Sequence, residues 1–261
     1  MKAAKITTIL LTTLLLSSCI KENRENCPSW LILDLTEIDT TLVENLALFI
    51  VSEENKICNE IYLEKENIKD HIELEVEKRS YSIFGWGNIS EKSILNTQEQ
   101  SIEITAGKDA DPLYFHKSHI KTTGEKHREK IFPDKNYINI KIFLEGNVKN
   151  EDREIFLESE TAGYLLNGEK IDRKIEIPAP YQEFCSANII RQFDYKNLNL
   201  LIINDYEGFQ IPIGELIMED PPAGFPEKLS DITLRIDFSE SRITIEIGGW
   251  KKVFENFCKI F

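Results

Sequence analysis

Apolar residues that return at every second position are the feature of this chain that most limits its fold. In His71-Ile72-Glu73-Leu74-Glu75-Val76 they alternate with charged residues, and Ile138, Ile140 and Ile142 alternate with Asn139 and Lys141. Ile232, Leu234, Ile236 and Phe238 do the same against Thr233, Arg235 and Asp237. Ile243, Ile245 and Ile247 then alternate with Arg242, Thr244 and Glu246. Successive side chains of a strand point to opposite faces, so this period buries one face and wets the other, the pattern of antiparallel strands in a sandwich. Less regular runs over 30–35, 47–51, 81–86 and 199–203 fill out the set. Residues 239–242 join the last two strong runs as a hairpin. Long helical periods are absent, and only 214–218 predicts a short turn of helix.

The expected fold is therefore mainly β. A sandwich of seven short strands uses about 100 residues, so a chain of 261 residues has room for two. The polar stretch from Lys121 to Lys130 interrupts the strand pattern and sets the expected division, giving domains over 27–125 and 126–261. A second polar segment, 147–154, is set aside because 136–144 reads as the first strand of a new series.

The N-terminus has the layout of a secretory signal peptide over 1–18: Lys2 and Lys5, an apolar run over 6–16, then Ser17 and Ser18. The run falls short of the roughly 20 apolar residues that a membrane-spanning helix needs. Cys19 follows at once, in a context that resembles a bacterial lipobox. There the thiol takes a diacylglyceryl thioether, and cleavage leaves the cysteine as the acylated first residue. At roughly 0.8 kcal/mol per buried CH₂, several acyl chains make a firm tether. Residues 19–26 then form an acylated polar spacer, in which Lys21-Glu22-Asn23 partly matches a surface-export signal of Bacteroidota lipoproteins. The whole chain carries a net charge of −14, and loss of Lys2 and Lys5 makes the exported form more negative still. Such a charge repels nucleic acid and anionic headgroups.

With Cys19 assigned to lipid, Cys27, Cys58, Cys185 and Cys258 remain, and an oxidising exterior permits bonds among them. Four cysteines pair in three ways. Cys27 with Cys58 and Cys185 with Cys258 is the favoured expectation, because each pair stays within one domain; each bond would contribute roughly 2–4 kcal/mol.

No catalytic set stands out. His116-x-x-His119 lacks the helical context and carboxylate of a metalloprotease, and His127 adds no ligand spacing. The cysteine spacings fit no zinc motif, and no nucleophile elbow or phosphate loop occurs. Gly85-Trp86-Gly87 and Gly248-Gly249-Trp250 each place a tryptophan at a strand end, read first as a packed aromatic beside a turn and second as a sugar-stacking platform. The acids mostly occupy outward positions of alternating strands, so they are expected to be solvated faces.

Taken together, the lipobox cysteine, Cys27-Pro28 and a first strand, the Ala47–Val51 run, Tyr81–Gly87, Pro112-Leu113-Tyr114-Phe115-His116, and the final hairpin with Gly249-Trp250 resemble the FimB-type fimbrial anchor subunits of Bacteroidales, the base proteins of type V pili. That resemblance implies two transthyretin-like antiparallel β-sandwiches in tandem, no catalysis and no cofactor. It further implies a lipoprotein of the outer membrane, exposed at the cell surface within a fimbria, with a shaft subunit as partner and the membrane as its attachment. Shaft subunits of such pili lose an N-terminal strand to a protease and receive a neighbour's strand in its place. An anchor that keeps its first strand joined to Cys19 would end growth and hold the fibre.

Strand addition gives affinity through main-chain bonds and specificity through alternate side chains. The C-terminal segment, with Val253, Phe254, Phe257, Ile260 and Phe261, is the expected docking strand, packing against its own domain being the other reading. A surface glycan-binding lipoprotein using Trp86 or Trp250 is the second functional reading, and a secreted hydrolase the third.

Overall fold

The structure, a computed structural model, describes residues 27–146, 153–180, 184–192, 194–203, 208–225, 227, 229–255 and the backbone of 259–260. The fold class is the expected one: mainly β, two sandwiches in tandem. Sheet 1 of the first sandwich has the order β4 (His71–Val76), β1 (Ser29–Asp34), β9 (Lys126–Lys130). Sheet 2 runs β10 (Asp134–Lys135), β8 (Tyr114–Lys121), β5 (Ser80–Gly87), β2 (Asn45–Ser52), β3 (Ile57–Glu64). Their facing sides form one core, with Leu31 and Leu33 of β1 against Leu46, Leu48 and Ile50 of β2 and Tyr81 and Ile83 of β5.

The second sandwich pairs sheet 3 with sheet 4. Sheet 3 runs β14 (Cys185–Ile190), β11 (Tyr137–Glu145), β17 (Ile232–Asp237), β18 (Arg242–Ile247), β19 (Trp250–Glu255). Sheet 4 runs β20 (Lys259–Ile260), β16 (Gly208–Ile211), β15 (Asn199–Ile203), β12 (Glu154–Leu165), β7 (Ser101–Ile104), β6 (Ser93–Asn96), with β13 (Lys170–Pro178) on the other side of β12. The alternating isoleucines face inward as their period demands: Ile138, Ile140, Ile142, Ile232, Ile236, Ile243 and Ile245 are fully buried. The hairpin expected at 239–242 joins β17 to β18. Asp237 caps its turn, accepting from Ser239 Oγ (2.6 Å) and from the N–H groups of Ser239 and Glu240. The Ser239 hydroxyl holds that carboxyl below the usual range. The expected helical turn is α1 (Ile213–Met218).

The division expected at 125/126 falls elsewhere. β9 pairs in parallel with β1 from Trp30↔Lys126 to Asp34↔Lys130, and β10 pairs with β8. The first sandwich therefore runs through Lys135. The stretch 126–130 carries no apolar signal because β9 is an edge strand with its outward row Lys126, Arg128 and Lys130 in solvent. In the other direction, the β6–β7 hairpin comes from the first half of the sequence yet joins sheet 4, through Gly163↔Glu103, Tyr164↔Ile102 and Leu165↔Ser101. A Cβ on Gly163 would sit 2.2 Å from the Ile102 carbonyl oxygen, so glycine is what lets these two backbones meet.

This hairpin and the tip of β12 cover the outer face of sheet 2. Ala47, Phe49, Val51, Phe84 and Trp86 belong to the same core as Ile102, Tyr164 and the isoleucines of sheet 3. Sheet 2 is thus dry on both faces over β2 and β5, which is why the runs at 47–51 and 81–86 lack clean alternation. Trp86 lies at the centre of the junction. It is fully buried, its ring centroid is 4.3 Å from Phe115 and 5.2 Å from Tyr164, and its Nε1 donates to the Leu166 carbonyl at 3.0 Å. Asn88, just after β5, adopts φ +63°. Its Nδ2 donates to the carbonyls of Leu42 and Pro112 and its Oδ1 accepts from Glu44 N–H, so one buried amide fixes three loop segments.

Truncating Trp86 removes the largest side chain of the junction and orphans the Leu166 carbonyl. Trp86→Ala is expected to cost about 3–5 kcal/mol in urea melts followed by circular dichroism. A loss below about 1 kcal/mol would mean that the two sandwiches do not depend on this contact.

Candidate functional surfaces: the entry strand and the sheet edges

β1 is the first functional element because of where the chain enters it. Its inward residues Ser29, Leu31 and Leu33 are fully buried, and Trp30 and Ile32 face out. It is the central strand of sheet 1, antiparallel to β4 from Ser29↔Val76 to Asp34↔His71 and parallel to β9. The signal peptide and Cys19 lie outside the described residues. Trp30 is 42% exposed, with Lys126 beside it on β9 and Glu75 beside it on β4. It is the exposed indole of the described residues, and reading the sequence did not single it out, since it stands in a strand without a neighbouring turn.

The two tryptophans that were singled out are placed differently. Trp86 is sealed in the core, so it offers no face to a sugar. Trp250 opens β19 after a turn in which Gly248 and Gly249 both take positive φ, as a two-residue hairpin turn requires. It is half-buried and packs on the second core.

The expected docking segment is built into its own domain. Val253 and Phe254 belong to β19, which pairs with β18 from Ile247↔Trp250 to Arg242↔Glu255, and the backbone of Lys259–Ile260 pairs with Phe209 and Gln210 of β16. Val253 is 48% exposed while Phe254 packs on the core. Phe257 and Phe261 lie outside the described residues. As placed, the segment closes sheets 3 and 4 and is not a free strand. Its period is poor because it bridges two sheets.

The expected cysteine bonds do not occur among the described residues. Cys27 and Cys58 are exposed free thiols, and Cys185 is a buried one. Cys27 precedes β1 of sheet 1, whereas Cys58 is on edge strand β3 of sheet 2, where its Sγ accepts from Arg79 Nη2 at 3.5 Å. Cys185 faces the second core opposite Ile142, and burial pushes its pKa up to about 11. Cys258 lies outside the described residues.

The histidines do not converge. His116 and His119 are three apart on β8, so they point to opposite faces. His116 is buried, Phe132 N–H donates to its Nδ1, and burial holds its pKa below the usual value. His119 is exposed beside Ser82, and His127 lies 3.8 Å from Glu129 on β9. Among the described residues no three His, Cys, Asp or Glu side chains gather as a metal set.

Open sheet edges are the remaining candidates, since an unpaired edge can accept a strand. Two are guarded by charge on the side facing the core, His127 and Glu129 on β9 and Lys252 on β19, the last 3.4 Å from Asp220. β3 has no such guard. Ile61 and Leu63 face the first core, and Glu60, Tyr62 and Glu64 lie on the other face, where the β6–β7 cover stops short of the edge. A cavity of about 170 Å³ opens there between Ala47, Tyr62, Leu63, Ile89 and Leu95. Tyr62 is 56% exposed, its ring edge-on to Phe49.

No protein-family model matches the sequence, and neither does any curated protein. Solved structures do share its fold. A candidate polysaccharide-binding protein from Bacteroides thetaiotaomicron matches at TM-score 0.68 and 11% identity over 88% of this chain and 99% of the other. The fimbrial anchor protein Mfa2 from Porphyromonas gingivalis matches at 0.64 and 15% identity over 86% and 99%. A fimbrial assembly protein from Parabacteroides distasonis matches at 0.51 and 10% identity over 88% and 98%. The likeness runs through both sandwiches and is one of fold.

Thiol chemistry tests the cysteine placement. In the native protein Cys27 and Cys58 should alkylate at neutral pH, while Cys185, buried and protonated, should react only on unfolding. Peptide mapping by mass spectrometry reads this directly, and a Cys27–Cys58 linked peptide would restore the pairing expected from sequence.

Proposed function

We propose that this protein is an outer-membrane lipoprotein that holds a fimbria to the cell and limits its length. The observation that carries the reading is the position of β1. Residues 20–28 link Cys19 to a strand that is paired on both sides and whose Leu31 and Leu33 are fully buried. Removing that strand would open the first core, so the groove it fills is not vacant for a neighbour's strand. A subunit of this kind accepts no successor at that position, and its own lipid keeps it in place. The fold shared with a fimbrial anchor protein and a fimbrial assembly protein supports the same reading.

Geometry supports the orientation. At full extension the link from Cys19 to Ser29 spans roughly 35 Å, so acylation would keep the Ser29 end of β1 close to the bilayer. The chain leaves toward the second sandwich from the other end of the sheet, where Asp34 pairs with Lys130. For a shaft subunit, β3 is the favoured docking edge: its backbone is unpaired on one side, and the cavity beside Tyr62 can take a side chain of an added strand.

A second reading, a surface glycan-binding lipoprotein, draws on one observation. Trp30 presents an indole between Lys126 and Glu75, an apolar face with polar groups on either side.

Cys19→Ala should give fibres that are longer and shed into the medium, as seen by electron microscopy. Fibres of unchanged length and attachment would remove the anchor reading and turn the search to glycan arrays, where loss of signal in Trp30→Ala would support the second. If β3 is the docking edge, Tyr62→Asp should weaken co-purification with the shaft subunit by about tenfold or more and leave the melting curve in place. Unchanged recovery would exclude this edge.

A further inference from the structure

We propose that the parallel pairing of β1 with β9 is a shear clamp, which makes the first sandwich a load-bearing link between its N-terminal tether and the second sandwich. The source of the load rests on the anchor reading; the clamp is a property of the fold.

Direction is the central point. β1 and β9 run the same way, so Ser29 and Lys126 lie at one end of sheet 1 and Asp34 and Lys130 at the other. A pull on the N-terminus enters β1 at its Ser29 end. The opposing pull comes through Ile131 to Asn136, the link to β11 and the second sandwich, and reaches β9 at its Lys130 end once the two residues of β10 have peeled from β8. The two forces act along adjacent strands in opposite senses. The ladder bonds lie across that direction, so they are loaded together and none opens first. Had the strands been antiparallel, the same two attachments would lie at one end of the pair, and the ladder would unzip one bond at a time.

The contacts fit this role. The register covers five residue pairs and is extended at both ends by backbone bonds, Trp30 N–H to Glu125 O at 2.8 Å and Ile131 N–H to Asp34 O at 2.9 Å. Arg128 lies 3.7 Å from Asp34, and Lys130 pairs with Glu37 beyond the strand end. On its other side β1 is held by six residue pairs with β4. Sliding by one residue would turn Leu31 and Leu33 out of a core in which they are fully buried and bring Trp30 and Ile32 in, so the register resists slip as well as the bonds do. Ile131 is itself fully buried, so the load passes from β9 into a fixed segment. Among the described strands one other parallel pair occurs: β11, the entry strand of the second sandwich, with β17 over Ile140↔Ile232 to Glu145↔Asp237. Both sandwiches thus receive the chain on a strand whose parallel neighbour comes from late in the same unit.

Single-molecule pulling on the exported chain, Cys19 to Phe261, tests the clamp. With handles at the two termini, rupture of the first sandwich releases residues 29–130, a gain of roughly 350 Å, and is expected as the last and strongest event. A second attachment replaces Gly124, an exposed site before β9 where an added Cβ meets only ordinary contacts, with a residue bearing a coupling group. Pulling between it and the N-terminus should open the same ladder one bond at a time, at a clearly lower force. Equal forces in the two geometries, or loss of the first sandwich before the second in end-to-end pulling, would overturn the proposal. Neither result depends on fibre attachment, so failure of the clamp and failure of the anchor reading are separately visible.

Discussion

Burial of sheet 2 on both faces is the constraint on which the rest of this molecule depends. A sheet in an isolated sandwich keeps one wet face and can carry charge there. In β2 and β5 that freedom is gone: Leu46, Leu48 and Ile50 serve the first core while Ala47, Phe49 and Val51 serve the second. The second surface exists only because the β6–β7 hairpin leaves the first half of the chain and pairs with β12. Trp86 then fills the space between the layers, with a polar edge satisfied by Leu166. The two sandwiches share a core across this contact and do not simply follow one another in sequence.

Charge is distributed to suit such a body. The acids that dominate the composition mostly occupy outward rows, and many of their ion pairs are between exposed side chains, Lys130 with Glu37 and Lys170 with Asp172 among them. Pairs of that kind contribute little to stability. Their value lies at the edges, where Lys252 on β19 and His127 with Glu129 on β9 place charge toward the core side and discourage unplanned pairing. β3 carries no such charge on its core side, and a small cavity lined by Tyr62, Leu95 and Glu64 among others adjoins it.

The functional reading and the mechanical one meet in β1. It is the described strand nearest Cys19 in sequence, it is paired on both sides, and its removal would expose two leucines of the core. On the proposed anchor reading, a fold built this way gives up the vacancy that a growing polymer would need, and on the proposed clamp it gains a fixed point from which load can be carried.

Local chemistry made part of this legible without coordinates. The alternation at 138–142, 232–238 and 243–247 determined strands and their buried faces, because a period of two has one structural meaning. The apolar leader followed by Cys19 determined the expectation of export and acylation, because that chemistry is local. What the sequence could not decide depends on partners distant along the chain. Lys126 to Lys130 reads as a loop, yet it is a strand because β1 accepts it; 47–51 reads as irregular because its second face is covered by residues some fifty positions on. Phe254 and Ile260 look available for docking, but each lies in a strand paired within its own domain, and Cys27, just before β1 of sheet 1, is not bonded to Cys58 on the edge strand of sheet 2. Tertiary structure alone decides these, since hydrogen-bond partners and the burial of a second face are set by which strands meet, and a residue pattern records only how many of its faces are dry.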